Sequence, residues 1–234
     1  MPSLLKAATS QVGRKILTGL TGLFLLFFVI FHLGGNLAIF GEPDAMNRYS
    51  LALHNFGPLL WIARVGLLVT FVIHAWIGLS IWWNKRKARP QKYAVYSSKG
   101  GPSKQSLSSR SMAFTGVVLI IFVIFHINTF AMGDTETIMI DGQQTHDIKS
   151  LVLETFQNPF YAFGYAFVML LLGTHLGHGI WSAFTSLSIH NKKVSAMIYS
   201  LGVVFAILLA VGFLFIPLYI YFGGGCEAAL IQCQ

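Results

Sequence analysis

The chain has 234 residues, of which 55% are hydrophobic and only 10% charged, with 16 Lys and Arg against 8 Asp and Glu. That balance lies outside the range of soluble globular domains and inside that of membrane proteins. The basic excess lacks interleaved aromatic platforms and falls between apolar stretches, which argues against a nucleic-acid partner.

Five stretches, at roughly 16–40, 58–83, 112–132, 159–184 and 195–222, are mostly apolar. Each reaches the length of about 20 residues that a helix needs to cross about 30 Å of hydrocarbon. The expected fold is all-α, a single transmembrane domain of five helices over residues 1–234. Lys6, Arg14 and Lys15 precede the first stretch as in a signal peptide. However, that stretch is too long for a typical h-region and no small-x-small cleavage site ends it, so it is expected to stay in the mature protein.

Charge sets the orientation. Lys85, Arg86, Lys87, Arg89, Lys92, Lys99, Lys104 and Arg110 follow the second stretch, and Lys192 and Lys193 follow the fourth. Asp134, Glu136, Asp141, Asp147 and Glu154 follow the third, against Lys149 alone. The positive-inside rule then puts the N-terminus and both basic loops in the cytoplasm, and five crossings leave the C-terminal tail outside. Two readings of the basic run stand: topology alone, or topology plus docking of an acidic soluble partner. Residues 41–57 are expected to form a compact outer connection, 91–109 a mobile cytoplasmic linker and 133–158 a polar outer flap.

Four histidines, His32, His74, His126 and His175, each sit in a different apolar stretch. An imidazole is costly in hydrocarbon, so a titratable residue inside a span is a functional hypothesis by default. Depth follows from a rise of about 1.5 Å per residue. His32 and His126 fall in the outer halves of stretches one and three. His74 and His175 stand equally far beyond Pro58 and Pro159, in the inner halves of stretches two and four. Two facing imidazoles can take both axial positions of a haem iron, so the pattern points to two b-type haems, one per pair. The structural alternative is four separate hydrogen bonds to neighbouring helices, each worth about 1 kcal/mol; the matched depths argue against it. Gly34, Gly35, Gly66, Gly78, Gly116, Gly173 and Gly177 are expected to make room for the macrocycles.

His178, three residues past His175, is an alternative ligand or a contact for a propionate or quinone. His54, His146 and His190 lie in loops and are expected to be solvated. Arg64 either snorkels to the interface or pairs with the carboxylates of the outer haem, with Arg48 and His54 as weaker candidates for that role. Cys226 and Cys233 form no zinc or iron–sulfur pattern, and they are either paired or free thiols. No Asp or Glu lies in the middle of a stretch, which argues against a carboxylate-based transporter. Nor is there a nucleophile with its base, a phosphate loop or a dinucleotide fingerprint. The chain is expected to carry electrons rather than to perform substrate chemistry.

Four segments carry a family likeness: Val12-Gly-Arg-Lys15, Thr18-Gly-Leu-Thr-Gly22, Phe31-His-Leu-Gly-Gly-Asn36 and His175-Leu-Gly-His-Gly-Ile-Trp-Ser-Ala-Phe184. Over about residues 10–222 the chain resembles the five-helix, dihaem cytochrome b anchor of type B succinate:quinone oxidoreductases, the succinate dehydrogenases and fumarate reductases. The last segment is similar to that family's His-x-x-x-Gly-Leu-Trp pattern, which selects His175 over His178. The resemblance implies a bacterial cytoplasmic membrane and partner flavoprotein and iron–sulfur subunits on the cytoplasmic face. It also implies membrane menaquinone as the redox partner, with no dicarboxylate chemistry on this chain. Helices one and three would hold the distal haem, two and four the proximal one. Ser10 and Arg14 resemble a Ser/Arg pair that lines quinone sites in related anchors; equally, Ser10 caps the helix and Arg14 marks topology. The competing readings are a membrane cytochrome b of another quinone-linked dehydrogenase, and a haem-free anchor or small-molecule carrier.

Overall fold

A computed structural model describes residues 6, 9–88, 91, 107–189 and 194–223. Most of the 91–109 linker, Arg89, Lys192, Lys193, His190 and both cysteines lie outside the described residues. In chain order the elements are α1 (Gln11–Asn36), extended by a 3-10 turn at Leu37–Phe40, then α2 (Ala45–His54) and α3 (Pro58–Lys87). Next come α4 (Leu107–His126), closed by a π-helical turn at Ile127–Ala131, and strands β1 (Thr137–Ile140) and β2 (Gln143–His146). Helices α5 (Ile148–Gln157), α6 (Pro159–Ser186) and α7 (Ser195–Phe222) complete the described chain.

Helices α1, α3, α4, α6 and α7 are each long and apolar enough to cross a membrane. The chain is an all-α multi-pass membrane protein. Their surfaces agree: Phe24, Trp61, Val72, Trp76, Phe125 and Leu208 are exposed, a density of outward apolar side chains that suits lipid. Helix boundaries overrun the apolar windows. Helix α1 begins at Gln11 and α4 at Leu107, because hydropathy marks the hydrocarbon and helical hydrogen bonding continues past it. The 30 residues of α3 measure about 45 Å at the usual rise. Its excess length holds Trp82, Trp83 and the basic end, where Arg86 lies 4.9 Å from the Trp82 ring and Lys87 5.6 Å from Trp83. Aromatic rings under cations suit a membrane–water boundary.

Contacts divide the chain into two units, and each of the five long helices supplies a segment to both. The first unit comprises Met1–Phe28, Gly66–Val118 and Leu172–Leu208. Small residues bring its helices together. A Cβ on Gly19 would lie 3.4 Å from the Ala183 carbonyl, and one on Gly202 would lie 2.9 Å from Ile180 Cγ2. Dispersion across such close approaches, rather than the hydrophobic effect, holds helices together in lipid.

The second unit comprises Val29–Val65, Leu119–Leu171 and Leu209–Gln234, and it contains a folded cap. Strands β1 and β2 form an antiparallel hairpin, Ile140 opposite Gln143, turned by Asp141 and Gly142 at φ 50° and 77°. Two successive positive φ angles make the tight turn that Asp-Gly favours. Arg48 of α2 pairs with the Asp141 carboxylate, which holds the Arg48 guanidinium above its ordinary pKa through that hydrogen bond and charge. The apolar faces of α2 and α5 close over Ile39, Ile216 and Ile220 through Met46, Val152, Leu153 and Phe156. Gln157 donates to the Ile220 carbonyl at 2.9 Å, satisfying an acceptor in the last turn of α7. The expected outer flap at 133–158 is thus a hairpin and a helix.

Asn47, only 2% exposed, ties the cap together. Its amide donates to Asp147 Oδ1 at 2.8 Å and its carbonyl accepts from the Lys149 N–H at 3.0 Å. Asp147 caps α5 by accepting from the Ser150 N–H and from the Ser150 hydroxyl at 2.7 Å. Burial pushes the Asp147 carboxyl up, but the hydrogen bonds from Ser150 and Asn47 and the Lys149 charge outweigh it and leave it below its ordinary pKa. The network's contribution is therefore complete above the ordinary carboxylate range and lost as pH falls through the lowered value. Asn47→Ala should cost about 1 kcal/mol of cap stability by removing two partly buried hydrogen bonds. Amide hydrogen exchange across α5 in detergent would register this as faster exchange, and Asp147→Asn should flatten its acid-side pH dependence.

Candidate functional site

The first unit brings His74 of α3 and His175 of α6 together, with ring centroids 6.4 Å apart and planes at 69°. A histidine nitrogen sits about 2 Å from a bound metal, and about 1 Å from its own ring centroid. Two rings opposed on one metal therefore have centroids roughly 6 Å apart. The observed separation fits that arrangement. The ring facing His74 is that of His175; the Nδ1 of His178 is buried and has no hydrogen-bond partner among the described residues.

Two further helices supply a threonine to each ring. Thr21 Oγ1 of α1 lies 3.3 Å from His74 Nδ1, and Thr115 Oγ1 of α4 lies 3.1 Å from His175 Nδ1. Each hydroxyl also reaches its own helix: Thr21 is 2.7 Å from the Leu17 carbonyl, and Thr115 is 3.1 and 3.2 Å from those of Ser111 and Met112. A hydroxyl that gives its proton to such a carbonyl accepts from the ring. That arrangement goes with the Nδ1–H tautomer, whose Nε2 lone pair can bind a ligand. The glycine after each threonine makes space beside the ring. A Cβ on Gly22 would lie 3.1 Å from His74 Cε1, and one on Gly116 would lie 3.7 Å from His175 Cε1.

The second unit brings His32 of α1 and His126 of α4 together, centroids 5.6 Å apart and planes at 89°. Phe122 stacks on His126 at 5.5 Å and 25°, with Phe130 at 5.4 Å and Tyr165 at 6.0 Å. Phe213 lies 5.9 Å from His32, and the His32 carbonyl accepts from the Asn36 amide at 2.7 Å. His126 Nδ1 is buried without a hydrogen-bond partner among the described residues. Both pairs fit ligation of one metal by spacing, and the His74–His175 pair also has a threonine hydroxyl at each Nδ1.

The other expected site residues fall as follows. Arg64 is exposed on α3, its guanidinium 5.2 Å from the centroid of Trp61. Arg48 is engaged by Asp141 in the cap, and His54 Nδ1 meets the Ser50 carbonyl at 2.8 Å. Exposed His146 contacts the Thr135 hydroxyl at 2.9 Å. Ser10 Oγ accepts from the Gly13 N–H at 3.0 Å, the geometry of a helix N-cap, and its carbonyl accepts from Arg14 N–H. Gly35 makes room for Tyr49 of α2, whose ring a Cβ would meet at 2.5 Å, and Gly34, Gly66 and Gly78 border open space.

Sequence reasoning passed over Thr21, Thr115 and Gly22 as site residues. Their signal was present as a Thr-Gly pair set at the same distance before His32 as before His126. No family model matches the chain, and no curated protein or solved structure matches it. Nitrogen-15 spectra of His-labelled protein should report His74 and His175 as Nδ1–H; Nε2–H forms would contradict the threonine geometry.

Proposed function

We propose that this chain is the dihaem cytochrome b anchor of a succinate:quinone oxidoreductase in a bacterial cytoplasmic membrane. The supporting observation is the His74–His175 pair, spaced for one metal, with a threonine hydroxyl beside each Nδ1. In this reading His74 and His175 are the axial ligands of an inner haem, and His32 and His126 those of an outer one. Each haem, when bound, supplies a one-electron iron(III)/iron(II) couple. The chain's own part is to fix ring orientation and to keep water and charge away from the rings.

Electrons pass between a cytoplasmic flavoprotein and iron–sulfur pair and membrane menaquinone, the basic end of α3 offering a surface for the acidic side of such a partner. The family assignment rests on the sequence likeness around Thr18–Gly22, Phe31–Asn36 and His175–Phe184. A membrane cytochrome b of another quinone-linked dehydrogenase shares the same histidines and differs in the companions that co-purify with it.

His74→Ala and His175→Ala should each remove one haem signal in reduced-minus-oxidised spectra and leave the other, whereas His178→Ala should retain both. Equal loss of both signals from an assembled protein, or loss on changing His178 alone, would overturn the assignment.

A further inference from the structure

The chain repeats one pattern. Thr21-Gly22 in α1 is followed by His32, and Thr115-Gly116 in α4 by His126, eleven residues after the threonine in each case. Eleven residues is close to three α-helical turns, so each helix carries the threonine and the histidine on one stripe. The two helices thus do the same two jobs. Each presents a histidine of its own, and each presents a Thr-Gly pair to a histidine of another helix: Thr21 to His74 and Thr115 to His175.

We infer that Thr21 and Thr115 are positioning residues that set the redox poise of the metal bound between His74 and His175. This inference rests on the proposed haem ligation. Thr115 is 1% exposed, so water does not compete for its hydroxyl. An Nδ1–H that donates to an oxygen leaves the ring more electron-rich at Nε2, and a more basic ligand favours the ferric over the ferrous state. Two such bonds on one iron add their effects in the same direction. Gly22 belongs to the same device: it lets the helix backbone come near enough for the short threonine side chain to reach the ring, where a methyl group would crowd His74 Cε1 at 3.1 Å. His126 Nδ1 has no such acceptor among the described residues, so the outer haem potential serves as the comparison.

The test is a potentiometric titration of the purified full complex, followed by visible spectra and low-temperature EPR. Thr115→Val keeps the side-chain volume and removes the acceptor. The expected result is an upward shift of the inner haem potential by about tenfold in the ferric/ferrous ratio at fixed potential, or about 59 mV for one electron. Haem content and the outer haem potential should stay unchanged. Thr21→Val should act on the same haem, and Thr115→Ser, which retains the hydroxyl, should restore the original value. Unchanged potentials in both valine variants would overturn the inference, as would an equal shift in the serine variant, which would signify packing instead. A chain without haem would overturn the proposed ligation itself, a result distinct from a haem-bearing chain whose potentials do not respond.

Discussion

A buried imidazole has two ring nitrogens to satisfy, and among apolar helices few polar groups stand ready, because most backbone groups are already paired. Much of the structure around His74 and His175 answers that demand. A threonine that gives its proton to its own helix accepts from an Nδ1–H, and Thr21 and Thr115 each stand at that nitrogen. The Nδ1–H tautomer is the one whose Nε2 suits a metal.

That requirement propagates into the packing. A threonine side chain is short, so its helix must approach the histidine closely, and Gly22 stands where a larger residue would hold it off. The second unit meets a different demand. Its histidines lie among Phe122, Phe130, Tyr165 and Phe213, and its loops fold into a cap with its own apolar core and a buried Asn47–Asp147–Ser150 network. The π-helical turn at Ile127–Ala131 starts directly after His126, a place where such turns often mark functional sites.

Hydropathy made the five long helices legible, because lipid demands a length and a composition that few other environments do. The meeting of His32 with His126 and of His74 with His175 was legible from helical rise alone. Three features were not. The hairpin at 137–146 lay in a polar segment read by composition, although Asp141-Gly142 is a turn signal that its neighbours Ile140 and Gln143 confirm only once paired. Seven glycines were assigned to cofactor space as a group, whereas Gly35 among them accommodates Tyr49 across a loop, and Gly19, outside that group, accommodates α6. Those partners are set by tertiary contacts that no local pattern records. Thr115 is the sharpest case. A threonine in an apolar helix usually bonds back to its own carbonyl, and only its contact with His175 shows that it does both.

The central claim is that two histidine pairs each hold a haem. The pyridine haemochrome spectrum of the purified complex, calibrated against chain concentration, tests it most directly. Two haem b per chain is the predicted result. One per chain would mean that a pair is purely structural, and none would contradict the account.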